Sequence, residues 1–153
     1  MPKTTVNLKN FSKLDAHMEA VHAYAKLSKA IRLKVGALLV KDDRIISLGY
    51  NGTPSGYDNF CEYSDTYEGV GSYLRTKPEV VHAETNVIAF AAKNGIKTDG
   101  CTLILTHSPC FDCSRLIIQS GVKTVVYKED YRDLLGIEFL RKNNVEVVKY
   151  EKN

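Results

Sequence analysis

Two short segments, His82-Ala83-Glu84 and Pro109-Cys110-Phe111-Asp112-Cys113, carry complementary chemistry but stand apart in the chain, with a helical pattern and a strand pattern between them. A fold that uses both must bring them to one point. One imidazole and two thiolates form a ligand set for zinc, and three protein ligands leave a tetrahedral ion one open position. An open position suits a metal that binds and ionises water more than one that only staples a chain together. His82, Cys110 and Cys113 are therefore the expected ligands of one catalytic zinc ion per chain. Glu84 is not needed as a ligand and is placed to move protons beside the metal.

Each half of this pattern has a plainer reading. A histidine and a glutamate two residues apart often mark an ordinary helix start, and a lone C-x-x-C can be a redox pair or half of a four-cysteine structural site. The redox reading needs a strand leading into C-x-x-C in a thioredoxin-like setting. The structural reading needs a second cysteine pair, and Cys61 and Cys101 are isolated from each other and from any histidine at ligand spacing. The catalytic-metal reading is the one the sequence satisfies, with Cys61 expected as a buried thiol.

A chain of 153 residues is expected to form a single domain, residues 1–153, large enough to bury a core without disulfide staples. With 44% hydrophobic and 25% charged residues it has the composition of an ordinary soluble protein. It contains no apolar run of membrane-spanning length, and Met1 to Lys9 has no apolar core of a secretory signal, so a cytoplasmic location is expected. The net charge of +3 is mild, and the densest basic cluster is Lys26, Lys29, Arg32 and Lys34. That pattern suits a small anionic ligand better than a long nucleic acid. It equally fits a solvated helix end whose lysines complement the dipole.

Periodicity orders the elements. Ser12-Lys-Leu-Asp15 resembles a capping box, and Leu14, Met18, Val21 and Ala25 predict a helix from about 13 to 29. Residues 35–40 and 44–49 flank Asp42-Asp43 as a β-hairpin. Residues 51–81, rich in Gly, Asn, Asp and Tyr, read as one long loop. Helices at about 83–94, from Cys110 to before Gly121, and at 132–143 alternate with strands at 102–106, 124–127 and 145–150. The order predicts an α/β domain of three layers, α/β/α, with a mixed five-stranded sheet and helices on both faces. Both metal segments are then helix N-termini that can converge at one end of the sheet, where the helix dipoles favour thiolates.

On these motifs the chain resembles the cytidine and deoxycytidylate deaminase superfamily, whose nucleobase-deaminating members carry H-x-E and P-C-x-x-C. The likeness runs from Val35-Gly36-Ala37 through Gly49-Tyr50-Asn51-Gly52-Thr53-Pro54-Ser55-Gly56, His82-Ala83-Glu84-Thr85-Asn86 and Ser108-Pro-Cys-Phe-Asp-Cys113 to Tyr131. The loop with Gly49-Tyr50-Asn51-Gly52, Pro54 and Gly56 points to the dCMP branch. The resemblance implies a cytidine-deaminase-like fold and a zinc hydrolase that converts dCMP to dUMP and ammonia, with Glu84 as the proton carrier. It implies that Asn51 contacts the deoxyribose, that the backbone at Ala83 and Ser108 reads the base edge, and that Tyr131 closes over the sugar and phosphate. Asn51-Gly52 is also a plain turn, and Tyr131 also reads as a half-buried aromatic. For the phosphate, Ser28, Lys29, Arg32 and Lys34 are the candidate donors, with Ser28 and Lys29 foremost.

The resemblance further implies a homo-oligomer, a hexamer in many relatives, activated by dCTP and inhibited by dTTP near Gly52 and Gly56. The early segment lacks cysteine and the loop before His82 lacks histidine, which argues against a second, structural zinc. Other readings stay open: a deaminase acting on dCTP, cytidine or tRNA adenosine, or a zinc-stabilised module that senses a nucleotide.

Overall fold

Helix α1 (Lys13–Ala25) begins on a reciprocal cap: the Asp15 N–H donates to Ser12 Oγ at 3.0 Å and the Ser12 N–H donates to Asp15 Oδ2 at 2.8 Å. It ends at Ala25, short of the expected 29, because Ser28 leaves the helical path. The Ser28 hydroxyl donates to the Asn51 carbonyl at 2.8 Å and accepts from the Ala30 N–H. The computed structural model describes residues 11–67 and 71–152, and the sequence expectation for Met1 to Lys9 lies outside them.

Strands β1 (Gly36–Lys41) and β2 (Arg44–Tyr50) pair antiparallel through Asp42 and Asp43, at φ 50° and 60°. Those positive angles match the right-handed twist of a two-residue hairpin. Beyond them come β3 (Glu62–Tyr67), β4 (Gly71–Thr76), α2 (Ala83–Lys93), β5 (Thr102–His107), α3 (Phe111–Gln119), β6 (Thr124–Glu129), α4 (Leu135–Lys142) and β7 (Glu146–Lys149). The main sheet has the order β2-β1-β5-β6-β7, antiparallel from β2 to β5 and parallel from β5 to β7.

Period-two alternation divides the core. Leu38, Val40, Ile104 and Val126 pack with Met18 and Val21 of α1 on one face. Ala37, Leu39, Leu103, Leu105 and Val125 pack on the other with Val87 and Ala91 of α2, Ile117 of α3, and Ile137 and Leu140 of α4. The result is the expected three-layer α/β/α arrangement. Contact between α1 and β1 is close enough that a Cβ on Gly36 would lie 2.5 Å from the Val21 carbonyl oxygen.

The segment expected to be one long loop instead contains the β3–β4 hairpin, a separate two-stranded sheet. Its signal is weak because Tyr63, Tyr73 and Leu74 stay exposed. Tyr63 and Arg75 are register partners, and the guanidinium sits 4.7 Å from the ring centroid. Among the described residues no helix is long and apolar enough to cross a membrane.

Candidate active site

His82 is the N-cap of α2 and makes no side-chain capping bond, which leaves its ring free to turn toward the other metal segment. Its position is set from upstream, where the Gly52 N–H donates to the Val81 carbonyl at 3.1 Å and the Val81 N–H returns the bond at 2.8 Å. Cys110 is the N-cap of α3, and its Sγ accepts from the Cys113 N–H at 3.4 Å. His82 Nδ1 lies 3.7 Å from Cys110 Sγ and 3.3 Å from Cys113 Sγ. All three potential ligand atoms fall within 4.8 Å of one another.

Two helix N-termini thus meet at a cluster of groups that work as anions. The turn carrying Cys110 is braced by Ser114, whose hydroxyl donates to the Cys110 carbonyl at 2.9 Å, and by Gly136 at the start of α4. The Cys110 thiol is drawn down to about 4 by hydrogen bonds from Cys113 and His82. Cys113 is pushed far upward by its bond to Cys110 and by burial. His82 is raised, chiefly by its bond to Cys110. The sulfurs and imidazole thus lie close together at the spot where a cation would hold all three. This donor set fits zinc.

Glu84, on the first turn of α2, is 4% exposed, and burial pushes its carboxyl upward. It opens onto a cavity of about 280 Å³ together with His82, Ala83 and Cys110. Asn51, Ser108 and Tyr131 line the same cavity. Asn51 Oδ1 accepts from the Val35 N–H at 2.9 Å and its Nδ2 donates to the Leu33 carbonyl at 2.8 Å. Ser108 is buried, donates its N–H to the Glu129 carbonyl and accepts from the Tyr131 N–H at its hydroxyl at 2.7 Å.

Other expected residues lie elsewhere. Ser28 is buried behind Asn51 and does not line the cavity; Lys29 is exposed and also lies outside its wall. From the same basic cluster it is Arg32 that reaches the wall. Gly52 is held in the bridge to Val81, and Gly56 sits in an exposed turn at φ 90°. Cys61 is buried, as expected, and forms part of the wall.

Sequence reasoning missed Glu62, Thr76, His107 and Arg132 in the cavity wall. His107 closes β5, and its Nδ1 lies 2.8 Å from the Thr106 hydroxyl, which itself accepts from the Gly36 N–H. Burial lowers its pKa. The available signal was its place at the carboxyl end of a parallel strand, where open α/β sheets bind ligands.

A model of the cytidine and deoxycytidylate deaminase zinc-binding region matches residues 11–129. The chain belongs to this family. Among cytidine and deoxycytidylate deaminases, the deoxycytidylate deaminase of Enterobacteria phage T4 is 33% identical over 78% of this chain and 79% of its own length. The human deoxycytidylate deaminase is 39% identical over 71% of this chain, which spans 61% of the human protein. The crystal structure of the dCMP deaminase from cyanophage S-TIM5, in complex with dCMP and dUMP, superposes with a TM-score of 0.80 at 43% identity, covering 89% of this chain and 95% of that one.

Proposed function

We propose that this chain is a zinc-dependent dCMP deaminase, hydrolysing dCMP to dUMP and ammonia in the cytoplasm and supplying dUMP for thymidylate synthesis. One observation carries the reading: His82, Cys110 and Cys113 converge beside a buried carboxylate, Glu84, in a cavity whose wall also holds Arg32. The similarity to phage dCMP deaminases supports the choice of base and phosphate.

When bound by these three residues, zinc would supply Lewis acidity that makes water available as a nucleophile at neutral pH. Glu84, beside that position, would carry one proton of the attacking water to N3 of cytosine, so that C4 accepts the oxygen. Glu84 would then carry the second proton, from the new C4 hydroxyl, to the exocyclic nitrogen; the C4–N bond breaks and ammonia leaves. A carboxyl raised by burial suits this shuttling, because general acid–base catalysis is most effective near the operating pH.

The remaining wall residues orient the nucleotide. Asn51, braced by Val35 and Leu33, keeps one amide N–H and one oxygen lone pair for a sugar hydroxyl. The backbone at Ala83 and Ser108 reads the base edge, and Tyr131 and Arg32 receive the phosphate. The same reading assigns dCTP and dTTP regulation of a hexamer to the loop from Gly52 to Gly56, which the Gly52–Val81 bridge connects to His82.

The test is ammonia release and loss of cytosine absorbance with dCMP, deoxycytidine, CMP, dCTP and cytidine offered in parallel. dCMP should have the highest kcat/KM. A preference for deoxycytidine, CMP, dCTP or cytidine over dCMP would overturn the reading.

A further inference from the structure

Arg32 is held twice by the base of the β3–β4 hairpin. The Ile31 and Arg32 N–H groups donate to Glu62 Oε1 at 2.8 and 3.2 Å, and Arg32 Nη1 donates to the Thr76 hydroxyl at 3.2 Å. Glu62 and Thr76 are register partners across β3 and β4, so one rung of the hairpin grips both the backbone and the guanidinium of the same arginine. All three residues line the cavity. No ion pair of Arg32 occurs among the described residues.

We propose that Glu62 and Thr76 are positioning residues for substrate phosphate, fixing Arg32 at the cavity wall so that the enzyme favours a nucleoside monophosphate over the bare nucleoside. The proposal rests on the deaminase reading above. Its physical basis is preorganisation. Arginine loses several freely rotating bonds when it binds a phosphate, and a side chain already tied at both ends loses fewer. The hairpin meets the segment between α1 and β1 at this rung, through the bonds of Glu62 and Thr76 to residues 31 and 32.

The experiment compares kcat/KM for dCMP with kcat/KM for deoxycytidine in wild type, Glu62→Ala, Glu62→Gln and Thr76→Val, each also in an Arg32→Ala background. The ratio of the two values is the readout. Glu62→Ala and Thr76→Val should each lower it about tenfold, the scale of one charge-assisted bond weakened or misplaced. Glu62→Gln keeps an acceptor for both N–H groups and should recover most of the ratio. In the Arg32→Ala background none of the three should lower the ratio further, since all act through Arg32.

Equal losses on both substrates, or further losses without Arg32, would overturn the clamp. If Glu62→Ala does not fold, Thr76→Val in the two backgrounds decides the matter by the same criteria. A wild-type ratio near one would remove the phosphate reading itself, and the clamp with it. A high wild-type ratio that neither Glu62→Ala nor Thr76→Val reduces would remove the clamp alone.

Discussion

Gly136 lies directly over Pro109, so close that a Cβ on Gly136 would sit 2.3 Å from the Pro109 carbonyl oxygen and 2.7 Å from Ser114 Oγ. The first turn of α4 is thus seated on the peptide that delivers Cys110. Gly136→Ala must push either α4 or that turn away. Overpacking of this kind costs about 1 to 3 kcal/mol. The expected result is a lower Tm and weaker zinc retention in a chelator competition, with Glu84 untouched. Wild-type zinc affinity in Gly136→Ala would show that the turn is set without α4.

Removing the proton carrier and removing a metal ligand should give opposite signatures. Glu84→Gln is expected to keep one zinc per chain by metal analysis while kcat falls roughly 100- to 10,000-fold, the usual worth of a positioned general acid–base. Cys113→Ala should lose zinc and activity together. In wild type, zinc should leave as the solution is acidified, because the sulfurs bind only as thiolates. An active Glu84→Gln enzyme, or two zinc ions per chain, would show that the roles are misassigned.

Arg32 and Lys29 are neighbours in sequence, but only Arg32 lines the cavity. Arg32→Ala should lower kcat/KM for dCMP about 10- to 100-fold, the effect of losing a charge-assisted bond of about 1.5 to 3 kcal/mol, while Lys29→Ala has little effect. Steady-state kinetics on both variants decides it. The reverse order would place the phosphate elsewhere.

Asp15 ties the two ends of the described chain together by accepting from the Tyr150 hydroxyl while it caps α1. Its carboxyl is held below the usual range, first by Tyr150 and then by the Ser12 backbone N–H. A depressed carboxyl stabilises the fold above its unfolded pKa, near 4, and the contribution is lost as pH falls through the folded value. Asp15→Asn should therefore melt below wild type at pH 7, with the gap closing as the pH drops under about 4. Tyr150, pushed up to about 12 by the same contact, gives the matching effect at the other extreme. Its share should fade as the pH rises beyond about 10. Thermal melts across pH test both limbs.

The convergence of His82, Cys110 and Cys113 beside Glu84 was legible in the sequence because zinc chemistry accepts few residue types, and the helix starts fix where those residues point. The sheet was legible because its strands alternate between two buried faces, Leu38 and Val40 against Ala37 and Leu39. Nothing comparable marks β3 and β4, where Tyr63, Tyr73 and Leu74 stay exposed and pairing depends on cross-strand contacts. The choice between Lys29 and Arg32 was hidden for a related reason. The chain between α1 and β1 has no period, so only the bonds to Glu62 and Thr76 reveal which way Arg32 turns. His107 was overlooked because it looks like the last residue of an ordinary strand.

The rungs between Gly52 and Val81 make residues 53–80 an excursion that leaves and rejoins the body at one place. Closing such a detour becomes harder only slowly with length, by about 0.6 kcal/mol for each doubling. Sequence can therefore be spliced in beyond the rung of Glu62 and Thr76 while His82 stays in register with its thiolates. A reporter peptide or grafted module placed within that excursion is expected to leave the pairing of Gly52 with Val81 in place.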